Sequence, residues 1–144
     1  MKLKRNIKGQ ALTEFALIFP LMFALVGGAI DWGLTFLVSH VVQNAVQDGA
    51  RLAATQGSVV EADVEAAVQS RIPDIPLFSA FRDPANIIVT PPNLADCPNA
   101  VVIVQTSGTY SFFFLRVLNL IASGFPTSVT ISRSSSMVWE RQVC

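Results

Sequence analysis

Between Ala11 and Ile30 the chain carries a single charged residue, Glu14, in a run otherwise made of Leu, Phe, Ile, Met, Val, Ala, Gly, Thr and Pro. A run of this length matches the requirement of a bilayer-spanning helix. Apolar positions then recur at spacings of three and four: Trp32, Phe36, Leu37, Val41, Val42, Ala45, Val46, Gly49, Leu52 and Ala53, with Gln43, Gln47, Asp48 and Arg51 between them. This periodicity predicts that the span continues as one helix ending at Gly57, about 46 residues and 70 Å in all. Pro20 removes a backbone donor and predicts a bend, and Gly27 and Gly28 weaken the far end. Asp31 and Trp32 mark the expected exit to water, with the indole at headgroup level. The small stripe Ala45, Gly49, Ala53 lets another backbone approach closely, either the chain's own sheet, the plainer choice, or a neighbouring helix.

The pattern changes after Gly57. Ser58 and Glu61 have capping-box spacing, and Val60, Val64, Ala67, Val68 and Ile72 form one face of a second helix that Pro73 ends. The acids Glu61, Asp63 and Glu65 lie in its first turns, where the helix dipole favours them, so they are not read as a calcium site. Pro73, Pro76 and Pro84 predict an irregular connection to Asn86, pinned by Leu77, Phe78 and Phe81 to the domain or the membrane surface. Period-two runs then predict strands at Ile87–Thr90, Val101–Ser107 and Ser128–Trp139, antiparallel because their connections are short. The segment SFFFLRVLNLIASG is too short to span again and too apolar for a free loop. It predicts a helix over Leu115–Ala122 covering the sheet, or a flap resting on the bilayer, with Phe112, Phe113 and Phe114 entering the core or an intersubunit groove.

The expected fold is therefore α+β: a long N-terminal transmembrane helix packed on a small antiparallel β-sheet head. Its parts are a leader over 1–9, the helix over 10–57 and the head over 58–144. Charge orients it. Lys2, Lys4, Arg5 and Lys8 all precede the apolar run, whereas the remainder holds six arginines, no lysine and all ten acids, a side-chain balance of −4. The positive-inside rule keeps the basic tail in the cytoplasm and translocates the rest, and the acidic remainder argues against nucleic-acid binding. A hydrophobic share of 51% in 144 residues suits one small domain plus a membrane segment.

Three readings of the N-terminus compete: a plain signal anchor, a secretory signal peptide cut near the small pair Gly27 and Ala29, and a prepilin leader. Glu14 counts against the second, because it interrupts what should be a purely apolar region. The run Gly9-Gln10-Ala11-Leu12-Thr13-Glu14-Phe15 resembles the processing site of type IVb prepilins of the Flp/Tad (tight adherence) class, in which a glycine precedes the cut and glutamate and an aromatic occupy the next fifth and sixth positions. The wider stretch, with EFAL, Pro20, Gln43-Asn44-Ala45 and Gly49-Ala50-Arg51 in order, resembles TadE-like pseudopilins. The strand, short apolar crossover and final strand at the C-terminal end also look like the end of a pilin-like head.

The resemblance implies a minor pilin or pseudopilin of a Tad pilus assembly, cut after Gly9 by a prepilin peptidase. Its implied partners are other pilins and pseudopilins and an inner-membrane assembly platform. The implied location is the bacterial inner membrane, with the head in the periplasm or carried into the fibre. Physics supplies a role for Glu14 beside it. A carboxylate in hydrocarbon costs about 3 kcal/mol on insertion scales, so an acid retained there should have a use. Cutting after Gly9 frees an α-amine on Gln10 within about 6 Å of rise of Glu14, and opposite charges in a poor solvent pair. Snorkelling of Glu14 to the cytoplasmic headgroups is the plainer alternative. From a different class, the chain could be an uncut inner-membrane anchor or scaffold whose periplasmic head binds a partner.

Cys97 and Cys144, the only cysteines, both fall on the translocated side. In an oxidising compartment they are expected to pair, stabilising the head by about 4 kcal/mol in the chain-entropy model; free thiols and an intermolecular bridge remain open. Two cysteines and one histidine do not complete a zinc shell, so no metal or other cofactor is expected. His40 has no acid, cysteine or serine constellation near it in sequence and reads as a surface or packed imidazole. No phosphate loop, nucleophile elbow or H-E-x-x-H is present, and an enzyme is not expected.

Overall fold

Helix α1 runs unbroken from Ile7 to Thr55, through Pro20, and so begins before Gly9 rather than after it. The computed structural model describes residues 7–55, 60–90, 101–121 and 123–138; Gly57, Ser58 and Trp139, which bounded the expected elements, lie outside them. Helix α2 (Glu61–Arg71) follows, then a short helix α3 (Ser79–Arg82), strand β1 (Ile87–Thr90), strand β2 (Val101–Ser111), helix α4 (Phe114–Ile121) and strand β3 (Ser128–Val138). The three strands form an antiparallel sheet in the order β1-β2-β3. This is the α+β, pilin-like layout expected from the sequence.

The chain divides into two compact units, Met1–Gly33 with Phe112–Thr127, and Leu34–Ser111 with Ser128–Cys144. The second holds the sheet. There the C-terminal half of α1 buries Val38, Val42, Ala45, Val46, Ala50 and Ala53. Alternation on β2 turns Val102, Val104, Thr106 and Tyr110 to the same interior. The small stripe on α1 serves this core: a Cβ added at Gly49 would lie 2.5 Å from Val68 Cγ2 and 3.7 Å from Val104 Cγ1. Helix α2 therefore approaches α1 as closely as a glycine permits, so the close neighbour at the stripe is a helix of the same chain rather than the sheet taken as the plainer choice, with Val104 of β2 in ordinary contact beside it.

Several local expectations are corrected. Helix α2 is capped at Val60, whose N–H donates to the Asp63 carboxylate at 3.1 Å, so its start lies two residues beyond Ser58. Val60 is exposed, while Val64, Val68 and Ile72 are buried. The proline-rich connection is not irregular throughout: Pro76 and Pro84 each open a 3₁₀ turn, where a missing N–H costs nothing, with α3 between the two turns. Phe78 and Phe81 anchor this stretch in the domain core. The Phe81 ring lies over Gly108, where an added Cβ would meet it at 2.8 Å. Strand β2 extends four residues past Ser107, because every residue from Val101 to Ser111 pairs in one register with β3.

In the first unit, α4 interrupts that hairpin as an excursion closed at its base by the Phe112 N–H donating to the Thr127 carbonyl at 2.9 Å. It packs along α1. Phe114 sits against Gly27, where an added Cβ would meet the Phe114 Cβ at 2.8 Å, and its ring lies 5.8 Å from that of Phe23. The three phenylalanines divide: Phe112 is buried, Phe114 half-buried and Phe113 exposed.

Candidate processing and assembly site

The four residues expected to govern processing and assembly, Gly9, Gln10, Glu14 and Phe15, all lie on the first three turns of α1. Consecutive turns place Gln10 and Glu14 on one face. The Gln10 side-chain Nε2 donates to Glu14 Oε1 at 3.2 Å, and the Thr13 hydroxyl donates to the Gln10 carbonyl at 2.8 Å. A carboxylate four residues on thus leans back toward Gln10, the direction helical side chains take. An added Cβ at Gly9 would meet nothing within 4 Å. Phe15 begins a row of rings along α1, 5.5 Å from Phe19, which is itself 6.2 Å from Phe23.

The surroundings of this site are apolar and exposed. Leu12, Phe15, Leu17, Ile18, Phe19, Leu21, Met22, Leu25 and Val26 all present more than half of their surface to the exterior. The stretch is long and apolar enough to cross a membrane, and almost none of it is buried within the protein. Cys97 and Cys144 lie outside the described residues, so the geometry of that candidate pair is not part of this site.

Sequence reading missed two polar anchors. Asp31, expected at the exit to water, is 0% exposed. Its carboxylate accepts the Phe113 N–H at 3.0 Å and the Leu115 N–H at 2.8 Å, holding the start of α4. Arg133, within the expected strand Ser128–Trp139, donates its Nε–H to the Ser39 hydroxyl at 2.8 Å, with a second guanidinium nitrogen on the same oxygen. A signal for the first existed. Asp31, Thr35, Val38, Val42, Ala45 and Gly49 follow one another at spacings of four and three, and all six are buried, whereas Trp32, Phe36 and Leu37 are exposed. The interior stripe of α1 is therefore rotated from the one that the large apolar residues suggested, and Asp31 belongs to it. His40 is exposed.

No match emerges among curated proteins or among solved structures. Residues 9–51, which hold Gly9, Gln10, Glu14 and Phe15, the apolar span and the stripe through Gly49, match the family model described as TadE-like protein, as the sequence resemblance implied.

Proposed function

We propose that the chain is a minor pilin or pseudopilin of a Tad type IVb pilus assembly, anchored in the inner membrane with its head in the periplasm and processed after Gly9 by a prepilin peptidase. The observation that carries this reading is the coincidence, within the TadE-like segment, of a lipid-suited helix and an acid one turn from Gln10. Gly9 lies in the first turn of α1 and is a weak helix former at a helix end, so local unwinding for the peptidase is cheap. Cleavage turns the Gln10 nitrogen into an ammonium and leaves the N–H groups of Ala11, Leu12 and Thr13 without helical acceptors at a new helix start. Glu14 is the nearest anion. In a monomer the amine competes with the Gln10 amide for this carboxylate; in an assembly the amine of one subunit meets the Glu14 of the next and sets axial register.

The helix then leaves lipid for a bundle of like helices, alongside other pilins and on an inner-membrane platform. The activity is structural, assembly rather than catalysis. The rival reading, an uncut anchor with a partner-binding head, needs neither Gly9 nor Glu14. Glu14→Ala separates the two: it is expected to leave membrane insertion unchanged while reducing the amount recovered with sheared pili about tenfold, the loss of one poorly solvated charge pair. Recovery equal to wild type defeats the assembly role.

A further inference from the structure

We infer that α4 is an interfacial membrane element, seated in the outer edge of the bilayer beside α1 with Phe113, Val117 and Leu120 turned into the acyl region. The inference rests on the reading that residues 11–30 span the membrane, and it adds a second lipid contact distant in sequence.

Depth comes first. Phe114 packs on Phe23 and Gly27, and Leu115 lies 3.9 Å from the place of an added Cβ on Gly28. These positions precede Ile30 by two to seven residues, about 3–10 Å of helix rise inside the apolar run. A helix that shares this depth with the span shares its solvent.

Surface chemistry agrees. Leu115 and Leu118 are buried, and on the other side Phe113 (66% exposed), Val117 and Leu120 (86% exposed) follow at spacings of four and three. Together they make one apolar stripe on the short helix and the residue just before it, and Arg116 beside it is exposed and long enough to reach headgroups. Phe125, also exposed, extends the apolar surface past the end of the helix.

Backbone bonding is the third strand of the argument. Irregular backbone survives at membrane depth only where its polar groups find partners inside the protein. Here the Phe113 and Leu115 amides donate to buried Asp31, the Phe112 amide to the Thr127 carbonyl, and the Gly124 amide to Asn119 Oδ1 at 3.1 Å. Gly124 takes a φ of 121°, which lets the chain turn back directly after α4. Four amides at the entry and exit of the excursion thus have partners within the protein.

The test is photocrosslinking of the full chain in vesicles of phosphatidylethanolamine and phosphatidylglycerol, with p-benzoylphenylalanine in place of Leu120, of Ile18 in the span, or of Ile88, an exposed apolar residue of β1. Lipid adducts are read by mass. Leu120 is expected to yield adducts within about twofold of Ile18 and about tenfold above Ile88. Lipid adducts at Ile18 with a covalent dimer at Leu120 assign this face to a second copy and overturn the proposal. Adducts at Ile18 with none at Leu120 overturn it as well, as does a yield at Ile88 equal to that at Leu120. Absence of lipid adducts at Ile18 instead sinks the spanning reading itself, and this inference falls with it.

Discussion

The two halves of α1 are built from the same class of residue and meet opposite surroundings. From Leu12 to Val26 the helix uses Leu, Ile, Phe and Met on every side, and Leu17 is 79% exposed; from Val38 to Ala54 it uses Val, Ala and Gly, and Val38, Val42, Ala45 and Val46 are fully buried. Side-chain size explains the difference. A helix facing lipid gains from bulk in all directions, because its solvent is fluid and fills any shape. Against a sheet and a second helix, packing is solid-like and each contact fixes the distance of approach, so small residues are selected on one face only. Both halves are apolar, and the pattern of sizes separates the half suited to crossing a membrane from the half packed inside the head.

Substitutions can break that comparison at chosen points. The largest effect is expected from Gly49→Leu, which drives a side chain toward Val68, where even a Cβ does not fit. It should destabilise the head by about 3 kcal/mol in chemical unfolding of the detergent-solubilised chain, through overpacking, while membrane insertion stays intact. A loss under about 0.5 kcal/mol would show that α1 and α2 are not in this contact. Next is Asp31→Ala, which removes two charge-assisted bonds to the start of α4 and should cost about 2 kcal/mol. Hydrogen exchange locates it: the Phe113 and Leu115 amides lose protection, and those of β2 do not. The smallest effect has the opposite sign. Thr106 is fully buried and its hydroxyl has no partner among the described residues, so Thr106→Val is expected to raise stability by up to about 1 kcal/mol.

Much of this architecture is legible in the amino-acid order, and the failures have physical causes. Period in α1 and alternation in the strands follow from where each side chain must point, and these place α1, β1, β2 and β3 within a few residues. The Gly49 stripe is legible because no other residue allows so close an approach. Asp31 is not legible by charge, since an acid beside a tryptophan after an apolar run reads as a water boundary; only its register with Thr35, Val38 and Val42 puts it inside. The cap of α2 lies at Val60, where the Asp63 carboxylate accepts the Val60 N–H, the N3 half of a capping box that spacing from Ser58 to Glu61 did not reveal. The short turns at Pro76 and Pro84 go unseen because proline reads first as a breaker, although it also opens helical turns. At the candidate site, the proximity of Gln10 and Glu14 is dictated by helix geometry alone, whereas the pairing proposed for Glu14 requires the amine that cleavage after Gly9 would free.

Processing is therefore where the account is most directly tested. Intact mass and N-terminal sequencing of the membrane-extracted protein, beside a Gly9→Leu variant, read it without reference to any partner. The account predicts mature wild-type chains that begin at Gln10 and a variant that keeps its basic leader. Wild-type chains that retain Lys2 through Gly9 would contradict it, because Glu14 would then face no chain-terminal amine.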